Sequence, residues 1–228
     1  MNDLNTVLFN IAQSLPGFLL AIVVHEAAHA WMANRFGDPT AKNAGRLTLN
    51  PAAHYDPWGT IFFPLMAAFT NFAMIGWARP VPIEVRNFKN YRSGIFWVSF
   101  AGPLSNLILG TLSALILAMV ATLVSPGWEF YSISIQMLRY SVFINFILAF
   151  FNLIPLPPLD GSKMVSSFLK GPALYKYESF ARYTPVIFIM VMVLSFMGIH
   201  TIGYILMPAQ ALANYIMFSF LGLFGGFA

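Results

Sequence analysis

Apolar positions dominate four long stretches of this chain, Val7–Ala33, Gly94–Val124, Ile135–Leu156 and Thr184–Phe224. A helix needs about 20 such residues to cross a hydrocarbon core ~30 Å thick, so each stretch predicts at least one transmembrane helix. The last is long enough for two, with a break expected around Gly198–Gly203 or at Pro208. A fifth run, Trp58–Trp77, is ambiguous between a full span and a segment that dips into the membrane and returns. Two shorter pieces, Arg46–Leu49 and Val81–Val85, alternate or are β-branched and predict short strands. Pro80 and Pro82 confine the second to an edge. There is no internal repeat, no low-complexity tract and no charged linker, so residues 1–228 are expected to form a single domain.

Charge bears on the ambiguous run. Every Lys and Arg except Arg139 lies in one of three loops: Arg35, Lys42 and Arg46; then Arg79, Arg86, Lys89 and Arg92; then Lys163, Lys170, Lys176 and Arg182. Cytoplasmic loops of membrane proteins carry the excess of basic residues, which would put all three on one side. Trp58–Trp77 would then begin and end on the same face as a re-entrant segment bent near Pro64 or Thr70-Asn71, its irregular backbone satisfied by protein or water. The expected fold is an all-α polytopic membrane protein of about five to six transmembrane helices, with a re-entrant or short β element after the first.

Composition agrees. Hydrophobic residues make up 58% and charged residues 9% of the chain, against about 25% charged in soluble domains. The basic excess, Lys+Arg 12 over Asp+Glu 8, is scattered over inter-helix loops and forms no groove-sized block, so no nucleic-acid partner is expected. Cysteine is absent, which leaves nitrogen and oxygen as metal donors. The N-terminus, Met1–Thr6, is polar and acidic rather than basic, unlike a cleavable signal, so the first span is expected to remain in the protein.

Within that first span stands His25-Glu26-Ala27-Ala28-His29. Residues four apart share a helix face, so both imidazoles can reach one metal ion. Glu26 is then placed to take a proton from an attacking water. Three ionisable groups inside an apolar span cost several kcal/mol unless they serve a function. A catalytic zinc takes about three protein ligands and keeps one position open. Acidic residues are scarce, and Asp160 is the candidate third ligand. It follows the helix-breaking run Pro155-Leu156-Pro157-Pro158 and precedes Gly161, which permits a tight turn back toward the bundle. The competing reading has Asp160 capping the helix that begins near Ser162.

These motifs, with Ala101-Gly102-Pro103-Leu104-Ser105-Asn106 and Asn152 ahead of Asp160-Gly161, resemble the site-2 protease family of intramembrane metalloproteases. Asn50-Pro51, His54-Tyr55-Asp56-Pro57 and Gly76–Pro82 resemble its compact bacterial and archaeal branch, which lacks PDZ and nucleotide-sensing domains. The resemblance runs from the first span to Gly161, with the motifs in the family's order. It implies zinc, one per chain, bound by His25, His29 and Asp160, with Glu26 activating water. It also implies a substrate-binding role for Asn152, for which a structural interhelical hydrogen bond is the alternative.

His54 is a candidate substrate or water contact, although a lone loop histidine is more often structural. Gly102, Asn106 and Gly110 form a row of small residues read as close helix packing, and Asn145 shares a face with Asn152. The expected function is hydrolysis of peptide bonds in or near transmembrane segments of membrane-protein substrates, in a bacterial or archaeal cytoplasmic membrane. Its rival is a metal-ion or proton transporter using the same His, Glu and Asp cluster. The outer halves of the spans are nearly all apolar, which disfavours a continuous ion path.

Overall fold

The computed structural model describes residues 4–62, 64–66 and 76–225. Helix α1 spans Leu4–Arg35 and carries Pro16 without breaking. Two short helices follow, α2 at Thr40–Asn43 and α3 at Pro51–His54, the latter capped by Asn50, whose side chain accepts the Ala52 N–H. A π-helical turn occupies Pro57–Phe62. An extended segment from residue 76 ends in a 3-10 turn at Val85–Asn87. Asn90 then caps α4, Tyr91–Leu123, by accepting the Ser93 N–H.

Helix α5 covers Tyr131–Asn152 and stops ahead of the proline run. Beyond it come α6 at Asp160–Phe168, α7 at Gly171–Phe180, α8 at Thr184–Phe196 and α9 at Thr201–Leu223. Among the described residues, five helical segments are long and apolar enough to cross a membrane: Leu8–Arg35, Tyr91–Leu123, Tyr131–Leu153, Gly171–Ser195 and Thr201–Leu223. The chain is a multi-pass α-helical membrane protein. The C-terminal hairpin breaks between Phe196 and Thr201, while Pro208 sits inside α9 and does not end it.

The main core lies where α4, α5 and α9 meet, with Ala114 and Leu117 against Val142, Phe146, Ala209, Ala213 and Met217. Helix α1 packs on α4 and α5, and its inner half is covered by the extended segment. Ala78 lies with Phe18 and Ile22, Val81 with Ala30, and Phe88 with Ala33 and Val98. The segment therefore runs along α1 in the same direction.

The expected short strands do not form: among the described residues there is no strand. Val81–Val85 is extended, but Pro80 and Pro82 have no N–H for a ladder. The N–H groups of Val81 and Glu84 go instead to the carboxylates of Glu26 and Asp38. In Arg46–Leu49, the Arg46 N–H closes onto Ala41 O and its guanidinium onto Ala53 O. The re-entrant β element is thus not supported. The two ends of Trp58–Trp77 do meet, with the Trp77 N–H donating to Gly59 O at 3.1 Å and Thr60 Oγ1 donating to Trp77 O at 3.1 Å. The bends expected at Thr70-Asn71 lie outside the described residues.

Candidate metal centre

One turn of α1 presents His25 and His29 on the face toward α4, and the start of α6 brings Asp160 onto them. His25 Nε2 lies 3.0 Å from His29 Nε2, and Asp160 Oδ2 lies 3.1 Å and 3.2 Å from the two. All three residues are buried, with 6–8% of their surface exposed. The far side of each imidazole is committed. His25 Nδ1–H donates to Asn106 Oδ1 at 2.6 Å and His29 Nδ1–H to Val98 O at 2.7 Å. Both acceptors lack a hydrogen, so in the neutral form that can bind a metal each ring turns a bare Nε2 toward Asp160.

Two nitrogen lone pairs and a carboxylate oxygen that close together repel unless positive charge lies among them. With metal–ligand bonds of about 2.0–2.1 Å, neighbouring ligands of a tetrahedral zinc stand about 3.3 Å apart. The observed triangle is close to one face of that tetrahedron, so this donor set fits zinc. Among the described residues, this is the one group of three His or acidic side chains able to share an ion.

Local sequence explains how each ligand is held. The α4 backbone passes so near the imidazoles that a Cβ on Gly102 would overlap His29 Nε2 and His25. Gly161 is needed for a similar reason, because a Cβ there would overlap the Leu153 carbonyl, and this contact seats the start of α6 under the end of α5. Asp160 is the first residue of α6, where the helix dipole favours a carboxylate. Its side chain faces the imidazoles and not the N–H groups of its own helix, unlike the capping alternative. Lys163 Nζ stands 3.8 Å from its second oxygen.

A cavity of about 480 Å³ opens over the centre, bounded by the metal-facing residues, the segment from Gly76 to Val85, and Leu148, Phe151 and Asn152 of α5. Glu26 lines it without joining the ligand triangle, and its Oε2 accepts the Val81 N–H at 2.9 Å. Asn152 also lines it, with Nδ2 donating back to Leu148 O at 3.0 Å. His54 is not among the lining residues. It is buried in the α3 region, where Nε2 donates to Thr48 O at 2.9 Å.

Reading the sequence missed Asn106 as a partner of His25. The available signal was its place one turn after Gly102 on an apolar helix, where a buried amide needs partners.

Residues 14–130 and 121–194 match the sequence model of Peptidase family M50. The chain belongs to this family of peptidases, the family that contains the site-2 proteases. It is 39% identical over 183 residues to YwhC of Bacillus subtilis, whose name assigns it to the zinc metalloproteases, and the match covers 77% of both chains. Rip2 of Mycolicibacterium smegmatis, also named as a zinc metalloprotease, is 31% identical over 64% of this chain and 53% of its own length. Rip2 of Mycobacterium tuberculosis is 27% identical over 79% of this chain and 66% of its own. No solved structure matches the chain.

Proposed function

We propose that this zinc metallopeptidase cleaves peptide bonds within or beside the transmembrane segments of other membrane proteins, acting as a single intramembrane domain in a bacterial or archaeal cytoplasmic membrane. The observation that carries the reading is the triangle of His25, His29 and Asp160 beside the Glu26 carboxylate, with both histidines and Glu26 on a helix long and apolar enough to cross a membrane. His25, His29 and Asp160 would hold one zinc ion per chain. That ion would supply Lewis acidity toward a carbonyl and lower the pKa of water.

The remaining chemistry falls to the protein. Glu26 takes the proton of the attacking water and later passes it to the leaving amine. Its bond to the Val81 N–H fixes which way the carboxylate points. Asn152, at the cavity wall, is suited to hold the substrate backbone beside the cut bond. Apolar walls from Ile22, Ile83, Leu148 and Phe151 exclude bulk water and favour a membrane-derived segment. A helical substrate shields its own peptide bonds and must unwind locally to be cut.

The test is reconstitution with a panel of single-span substrates. Metal-dependent cleavage blocked by a peptide hydroxamate is the expected result. Ion transport is disfavoured by membership of a peptidase family. Absence of cleavage across the panel, together with ion flux into sealed vesicles that is lost in His25→Ala, would overturn the protease reading.

A further inference from the structure

Asn106 sits on α4, is fully buried, and has both amide hydrogens and its oxygen engaged by α1 and α5. Its Nδ2 donates to Ala21 O of α1 at 3.0 Å and to Asn145 Oδ1 of α5 at 2.8 Å, while Oδ1 accepts His25 Nδ1–H at 2.6 Å. Asn145 is also fully buried, and its Nδ2 donates to Ser141 O at 2.8 Å, which turns its oxygen toward Asn106. The series ends in a Ser141–Ser113 hydroxyl pair at 2.9 Å, back on α4.

An amide can present either its oxygen or its nitrogen to a neighbour, and only the bonds around it decide which. Here both hydrogens of Asn106 are taken by oxygens, Ala21 O and Asn145 Oδ1. Its own oxygen is therefore the atom left for His25. An acceptor at that position requires the hydrogen of His25 on Nδ1, which leaves Nε2 with its lone pair toward Asp160. The opposite tautomer would place two acceptors 2.6 Å apart on one side of the ring and a hydrogen inside the ligand triangle on the other.

We infer that Asn106 and Asn145 are positioning residues for the metal centre: together they lock His25 in its metal-binding tautomer, and through Asn145 they make that state depend on the seating of α5. The same helix carries Asn152 and leads into Asp160, so the seat of α5 bears on two of the three ligands at once. His29 is independent of this network, because its Nδ1–H goes to the Val98 carbonyl. The inference rests on the metal-centre reading above.

Two measurements on the full-length protein in detergent test it. In zinc titrations against a competing chelator, Asn106→Ala should bind zinc about 10–100-fold more weakly than wild type. Asn145→Ala, which frees the Asn106 amide to turn, should weaken it less. In metal-free protein labelled with ¹⁵N-histidine, wild-type His25 should carry its proton on Nδ1. Asn106→Ala should shift His25 toward a mixture of tautomers and leave His29 unchanged. Asn145→Ala should move the same His25 signal, which keeps the test open if Asn106→Ala does not fold. Wild-type zinc affinity and an unmoved His25 signal in the folded variants would overturn the inference. Equal disturbance of His25 and His29 would reduce the network to general packing and overturn it too. Failure of the wild-type protein to bind zinc would instead sink the metal-centre reading itself.

Discussion

Glu26 and Asp160 are carboxylates on the same cavity, and the different roles proposed for them follow from different neighbours. Asp160 has an oxygen within 3.2 Å of both imidazoles, whereas Glu26 is held by a backbone N–H and stands outside the triangle. Glu26→Gln keeps an oxygen for the Val81 N–H but cannot take a proton. It should lower cleavage by about 10²–10⁴-fold while zinc content, read by atomic absorption after gel filtration, stays near wild type. Asp160→Asn keeps the shape and removes the charge, so both zinc retention and cleavage should fall. Equal zinc loss in Glu26→Gln and His25→Ala would show these roles to be misassigned. His25, Glu26 and His29 are legible in the sequence because helix periodicity alone puts two imidazoles on one face. Asp160 is legible because few acids compete for its place and prolines and a glycine surround it. The Asn106–His25 contact is not, since it depends on α1, α4 and α5 meeting at one point, and no local spacing encodes that meeting.

Among the elements, the segment from Gly76 to Asn90 determines the roof of the cavity, and Asp38 fastens it. Asp38 is fully buried just past the end of α1 and accepts from Thr40, from the Glu84 N–H at 2.8 Å and from Asn87 Nδ2 at 2.8 Å. Burial pushes its carboxyl upward, but the bonds from Thr40, Asn87 and Glu84 outweigh this and leave it below the ordinary range. A depressed folded-state pKa means that the stabilisation is fully present above the unfolded value, about 3.9. It is lost as pH falls from there through the folded value. Asp38→Asn should therefore melt below wild type at pH 6–7 in thermal unfolding in detergent, with the gap closing under acid conditions. A gap that widens on acidification would contradict this account. The long helices were readable from their apolar runs. The expected strands do not form among the described residues because β-branched composition says nothing about where an N–H finds its acceptor, and here the carboxylates of Glu26 and Asp38 take N–H groups that strand pairing needs.

For the whole molecule, the three basic loops gather at one end of the bundle. The Lys89 N–H donates to Phe36 O, Glu84 and Asn87 bond Asp38, and Asp160 reaches His29, so the loops after α1, before α4 and after α5 lie together. With a rise of 1.5 Å per residue, His29 and His25 stand about 9 and 15 Å before the end of α1, within the stretch Leu8–Arg35 that is long and apolar enough to cross a membrane. This arrangement was legible from the clustering of Lys and Arg, because the membrane imposes one rule on all the loops. What the charges left open was whether 58–77 crosses, and the meeting of Gly59 with Trp77 bears on that directly. Single cysteines can decide it, since the chain has none to interfere. Asn43→Cys, Arg86→Cys and Ser166→Cys sample the three basic loops, and Gly127→Cys samples the loop between α4 and α5. In intact cells and inverted vesicles, an impermeant thiol reagent should label the first three from the cytoplasmic side and the fourth from the other. If Arg86→Cys were labelled together with Gly127→Cys, residues 58–77 would cross the bilayer. The loop carrying Val81 would then lie on the face opposite the Arg35 loop, and the Val81–Glu26 contact that roofs the cavity could not exist in the membrane-embedded protein.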